Sequence, residues 1–223
     1  GSQIQGFQHM TLTHRERFLK LMRGESVDRA PFFPCFGPWP ETLERWGREG
    51  LAPDADWRTV CGFDGSMRHL HPVNAFLCPG IDPQVLKDEG ETQVVIDSFG
   101  VRQRQRKDMG SMPEFLSFSV SNRSDWERLK PRFRPDAPGR FPPAAAWQAY
   151  CAANAIRTEP CYAGDLPIGF FGGPRQLMGY EALAFAFYDD PALVEDILDT
   201  LCDLWVDLFP RVLRVAPIDV FFI

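Results

Sequence analysis

Two apolar runs flank a helical stretch in the C-terminal third, and this alternation constrains the fold more than any other feature. Residues 166–171 read as a buried strand, and residues 217–223, apolar apart from Asp219, read as another. Between them lies a helix over residues 180–190, which ends in acids. A second helix opens at Asp190-Pro191, as N-cap and first helical residue, and runs to about Val215. Leu193, Ile197, Leu201, Leu204 and Leu208 fall on one stripe of it. Strand–helix–strand with fully apolar strands demands a parallel sheet covered on its faces. A parallel strand of this kind needs a further crossover helix. The chain therefore reads as the N-terminal part of a longer α/β protein, the rest being missing or on another chain.

The link between strand and helix is Pro167-Ile-Gly-Phe-Phe-Gly-Gly-Pro-Arg-Gln-Leu-Met-Gly-Tyr180. Paired glycines at 172 and 173 permit close backbone approach to a ligand. Arg175 falls where loop becomes helix, so a cation and free N–H donors are expected to face one space. Strand ends of this type carry the sites of α/β proteins.

Earlier in the chain, Thr13-His-Arg-Glu16 is a capping box, followed by Phe18, Leu19 and Met22 on one helical face. Residues 32–36 suggest a short first strand, and Pro40 opens a helix that stops at Gly50. Residues 54–80 gather Asp64, His69, His71, Asn74 and Cys78 among apolar side chains. They line a pocket or, in the plainer reading, form a surface loop on the core. Residues 93–106 predict a β-hairpin turning at Ser98-Phe99-Gly100, with Arg102, Arg104 and Arg106 on one face. That face is either solvated or phosphate-binding, and the acidic balance of the chain favours solvation. Residues 113–120 are extended, 122–130 form a capped helix, and 131–143, with five prolines, read as an exposed connection. Residues 147–156 are helical. Residues 1–10 carry no pattern and are read as an extraneous remnant.

A net charge of -6 argues against a nucleic-acid surface. No apolar run reaches the roughly 20 residues of a membrane-spanning helix. Six cysteines lie scattered without a C-x-x-C pair, which reads as reduced thiols in a cytoplasmic protein. His69-x-His71 with Cys78 is too poorly spaced for a zinc site.

Taken together, three segments resemble the uroporphyrinogen decarboxylase superfamily. Thr13 to Pro31 is similar to the family's opening helix and turn. Pro167 to Tyr180 looks like its P-x-G-F-x-G-x-P-x-x-L-x-x-Y loop, and Tyr188-Asp-Asp-Pro-Ala-Leu-Val looks like its Y-D-x-P-x-L-V helix. The resemblance spans residues 11–223. It implies an α/β protein with a (β/α)8 TIM barrel, of which this chain holds about the first half, with an N-terminal helix and a β-hairpin insertion. The site is then expected at the C-terminal ends of the strands.

The resemblance further implies Tyr180, Arg175 and Asp64 as catalytic candidates. Tyr180 matches the decarboxylases' active-site tyrosine, and Asp64 is a loose candidate for their aspartate. Cys35, Phe36, Trp39, His71, Asn74, Phe171, Gly172 and Gly173 are the expected substrate-binding positions. The decarboxylases' arginine-bearing loop after the first strand is replaced by Phe33-Pro-Cys-Phe-Gly-Pro-Trp-Pro40, which contains no cation for a carboxylate-rich tetrapyrrole. The corrinoid- or thiol-dependent methyltransferase and demethylase branch is favoured by elimination. Zinc and a corrinoid protein are then the implied cofactor and partner, with the metal ligands expected beyond residue 223. A decarboxylase acting in tetrapyrrole synthesis is the alternative. A third reading is a non-catalytic half-barrel that pairs with the remainder of a barrel or with a second copy.

Overall fold

Thr13 folds back on the first helix as its pattern requires. Its hydroxyl accepts from the Glu16 N–H at 3.2 Å, and the Glu16 carboxylate accepts from the Thr13 N–H at 2.9 Å. This is α1, His14–Met22, in the computed structural model of the chain, which describes residues 12–34, 37–65, 68–69, 73–108, 110, 112–163 and 169–221. Two short helices follow, α2 (Pro40–Arg48) and α3 (Trp57–Val60), and then strand β1 (Arg68–His69). Next come β2 (Gln84–Asp88), β3 (Thr92–Ile96), β4 (Arg102–Arg106) and β5 (Glu114–Ser117). The remainder is α4 (Arg123–Leu129), a 3₁₀ turn over Lys130–Phe133, α5 (Ala144–Ala155), β6 (Cys161–Ala163), α6 (Gly172–Met178), α7 (Tyr180–Asp189), α8 (Pro191–Leu213) and β7 (Val220–Phe221).

The strands form two sheets. β1, β6 and β7 make a parallel sheet in that order, and β2 to β5 make an antiparallel meander. The parallel pairing agrees with the strand–helix–strand reading. Among the described residues the strands form these two separate sheets and no closed barrel, a mixed α/β architecture.

The hairpin forms at the expected place. Thr92 pairs with Arg106 and Ile96 with Arg102. The Asp97 carboxylate closes the turn by accepting from the N–H groups of Phe99 and Val101, both at 2.9 Å. The flanking strands β2 and β5 widen it to four. Two of the three arginines are paired with carboxylates: Arg104 bridges Glu89 and Glu114, and Arg106 pairs with Asp108. Lys87 and Arg104 hold the Glu89 carboxyl down to about 2. A face already neutralised in this way is the solvated one.

The core is built on α8. The expected stripe of Leu193, Ile197, Leu201, Leu204 and Leu208 is fully buried, joined by Val194, Trp205 and Val212. Each fully buried leucine or isoleucine contributes roughly 2 kcal/mol through lost apolar surface. Against the stripe pack Trp126 and Phe133, Leu177 and Leu183, and the segment 73–78. At the polar edge, the Asp196 carboxylate accepts from the indole N–H of Trp126 at 2.9 Å and from Lys130 at 2.6 Å.

Three sequence expectations need correction. The proposed first strand at 32–36 has no sheet partner over 32–34, where Phe32 is tied instead to Asp64; Cys35 and Phe36 lie outside the described residues. Of the strand expected at 166–171, residues 166–168 lie outside the described residues and Gly169 to Phe171 is a turn, while a described strand runs over Cys161–Ala163. Gly169 has a φ of 122°, and its carbonyl accepts from the Gly173 N–H, so the helical path begins there. Residues 131–143 are no simple exposed connection, since Phe133 and Arg140 are both buried at 1% exposure. Arg140 is held by backbone carbonyls alone: those of Arg134, Asn74, Phe76 and Arg132, at 2.7–3.0 Å. Burial lowers its pKa from the ordinary guanidinium value.

Candidate functional site

Parallel strands put all their C-terminal ends on one side, and the loop leaving β6 lies there. Its described part runs from Gly169 through α6 to Tyr180. Phe170 and Phe171 are half exposed at its tip, and Gly173 and Pro174 are buried beneath. The Phe171 ring meets the Tyr180 ring edge-on, centroids 6.1 Å apart. Tyr180 is 70% exposed. Arg175 sits between them in sequence and is exposed. Phe171, Gly172, Gly173, Arg175 and Tyr180 are thus brought onto one loop–helix unit.

The expected free N–H donors are partly corrected. The Gly173 N–H donates to the Gly169 carbonyl at 2.9 Å, and the Arg175 N–H donates to the Phe171 carbonyl at 3.0 Å. The glycine pair therefore serves a tight turn into α6 and leaves neither of these donors for a ligand.

Tyr180 is aimed by its neighbour. Gly179 has a φ of 80°, and a Cβ there would lie 2.3 Å from the Phe118 ring. Only glycine satisfies both conditions. The N–H of Val120 donates to the Leu177 carbonyl at 2.9 Å, so the strand leaving the antiparallel sheet braces the end of α6. Tyr180 then begins α7 directly.

Asp64 belongs elsewhere. It precedes β1, Thr158 and Glu159 precede β6, and Asp219 precedes β7, so all lie toward the N-terminal ends of the parallel strands. α1 ties these points together. Its Arg15 N–H donates to the Thr158 carbonyl at 2.8 Å, and the Arg15 guanidinium pairs with Asp219. Asp64 is 1% exposed. It accepts from the Arg29 guanidinium and, at 2.9 Å, from the Phe32 N–H. His14 Nδ1 lies 3.4 Å away and Arg17 Nη1 3.9 Å. Burial pushes this carboxyl up, but the Arg29 and Phe32 hydrogen bonds outweigh it and hold it below its ordinary value. This carboxylate is enclosed by Arg29, Phe32, His14 and Arg17, on the side away from the 169–180 loop.

Asn74 is also an organiser of local backbone. Its side-chain oxygen accepts from the Phe76 N–H at 2.9 Å, and its amide donates to the Leu77 carbonyl at 2.8 Å. These bonds use the polar atoms expected to reach substrate. Trp39 caps α2 without a side-chain bond and lies against Gly110, where an added Cβ would come within 2.7 Å of its ring. Cys35, Phe36 and His71 lie outside the described residues. Cys61, Cys78, Cys151 and Cys202 are free thiols, and the Cys161 sulfur lies 3.8 Å from the Tyr150 hydroxyl.

Among the described residues, no three His, Cys, Asp or Glu side chains converge as metal ligands, and no helix is long and apolar enough to cross a membrane. The chain matches no protein-family model, no curated protein and no solved structure. The class defined by fold and geometry is therefore a mixed α/β protein with an aromatic and cationic loop at the C-terminal side of a parallel sheet.

The sequence reading overlooked Trp205 and Arg140. The signal for Trp205 was its place beside Leu204 on the α8 stripe, which marks burial but not a hydrogen-bond partner. Arg140 gave no local signal, because its acceptors come from segments 74–76 and 132–134.

Proposed function

We propose that this chain is part of a uroporphyrinogen decarboxylase superfamily enzyme that transfers a methyl group to or from a small substrate. In this reading the parallel strands belong to a (β/α)8 barrel of which the chain supplies about the first half. The observation that carries it is the loop leaving β6, which resembles the family's loop and groups Phe171, Arg175 and Tyr180 on the C-terminal side of the sheet.

A corrinoid, when bound, supplies or accepts the methyl group. The residues of this chain bind and orient. The Arg175 guanidinium holds an anionic group of the substrate, the Tyr180 hydroxyl donates to a heteroatom gaining charge, and Phe170 and Phe171 shield the reacting carbon from water. The described residues provide no metal-ligand set, and no step is assigned to one.

The test is methyl transfer between methylcobalamin and a thiol, followed by the cobalamin absorbance, on the purified protein. Transfer that falls on Tyr180→Phe supports the reading. No transfer to cobalamin or thiol, together with saturable binding of uroporphyrin, replaces it with the decarboxylase reading. That alternative is favoured by one observation, an exposed Arg175 on the same loop–helix unit as an exposed Tyr180, since a guanidinium is suited to a carboxylate.

A further inference from the structure

Four successive carbonyls, at residues 74 to 77, are each taken by a side chain. Arg140 Nη1 donates to the carbonyls of Asn74 and Phe76 at 2.7 and 2.9 Å. The Asn74 amide donates to that of Leu77. The indole N–H of Trp205 donates to that of Ala75 at 2.8 Å. A segment held in this way has little freedom, since each bond would have to be replaced for the backbone to shift.

Trp205 differs from the other two donors in what else it touches. Its ring meets Phe170 edge-on, at 5.5 Å between centroids and 64° between planes. Phe170 is half exposed at the tip of the 169–180 loop, whereas Trp205 is 8% exposed within the core. One side chain of α8 therefore contacts both the segment that follows β1 and the exposed tip that follows β6. A tryptophan has two side-chain torsions, and here the N–H bond sets the plane of the indole that Phe170 packs on.

We infer that Trp205 is a positioning residue that fixes the 169–180 loop against segment 74–77, so that the two form one wall. The inference rests on the loop being the site proposed above, and it is tested without substrate, so that its failure is distinct from an absence of methyl transfer. The measurement is amide hydrogen exchange by mass spectrometry on the whole chain, comparing wild type, Trp205→Phe, Phe170→Ala and the double variant. Trp205→Phe keeps a ring and removes the N–H. It should raise exchange roughly tenfold in peptides covering both 73–78 and 169–178, with 92–106 unchanged. Phe170→Ala should raise exchange at 73–78, and should add little to it in the Trp205→Phe background. An increase confined to one of the two segments, or one uniform along the chain, would overturn the inference. Independent, additive effects of the two substitutions would overturn it as well.

Discussion

The Arg15 guanidinium grips the Asp219 carboxylate side-on, with Nε 3.0 Å from Oδ2 and Nη2 2.8 Å from Oδ1, across 204 residues of sequence. Arg157 adds a bond to Oδ2 at 2.8 Å, and the Cys161 N–H adds another at 2.9 Å. The Asp219 N–H returns to the Cys161 carbonyl at 2.8 Å. One carboxylate thus joins the start of α1, the end of α5, and the neighbouring strands β6 and β7.

Asp219→Asn leaves the buried Arg157 cation, 5% exposed, without its counter-charge. Removing one partner of a buried pair costs about 3–5 kcal/mol. Urea unfolding followed by circular dichroism should show a midpoint lowered by that loss with little change in slope. A midpoint within about 0.5 kcal/mol of wild type would show the pair to be energetically idle.

The same carboxylate sets an acid limb of stability. Burial raises its pKa, but the hydrogen bonds from Arg15, Arg157 and Cys161 outweigh this and keep it below the ordinary 3.8. A folded-state value below the unfolded one contributes stability that is fully present above about pH 4 and is lost as the pH falls through the folded value. Asp64 shifts the same way and acts in the same window. Wild-type urea midpoints should hold steady from about pH 5 to 7 and drop below about pH 4. The Asp219→Asn variant should show a shallower drop, and parallel acid limbs would remove Asp219 from this account.

Gly179 tests how Tyr180 is aimed. Gly179→Ala meets both the φ of 80° and the Phe118 ring, so a loss of about 2 kcal/mol in thermal unfolding is expected. Phe118→Leu in the same chain should recover only part of it, because the backbone strain remains. Full recovery would mean that the clash alone mattered.

Tyr180→Phe and Arg175→Gln separate function from stability. Both side chains are exposed, so unfolding midpoints should move by less than about 0.5 kcal/mol. Methyl transfer should fall about 100-fold for Tyr180→Phe, the scale of one lost hydrogen-bond donor to developing charge. For Arg175→Gln the loss should appear mainly in KM if the guanidinium holds the substrate in both ground and transition states. Wild-type kinetics in both variants would remove the 169–180 loop from the chemistry.

Several of these features were legible in the chain itself. Thr13 with Glu16, Asn122 ahead of α4, and Asp190-Pro191 ahead of α8 are caps whose partners lie three residues away. The hairpin about residues 98–100 and the leucine stripe of α8 follow from periods of two and 3.6, which a short window reveals. The grouping of Phe171, Gly172, Gly173, Arg175 and Tyr180 on one loop–helix unit belongs to the same kind, because they are neighbours in sequence.

Other features were decided only by the tertiary structure. Asp64 and Asp219 are acids in apolar stretches, and nothing near them in sequence names their partners. Their arginines come from α1, from Arg29 and from the residue following the α5 turn. The strand at Cys161–Ala163 went unread for a similar reason. Cys161 is the residue whose N–H and carbonyl both find Asp219, far along the chain. Local patterns set helix ends and turns because their hydrogen bonds close within a few residues. The strand ends, the buried ion pairs and the carbonyl shell of Arg140 depend on groups that only chain folding brings within 3 Å of each other.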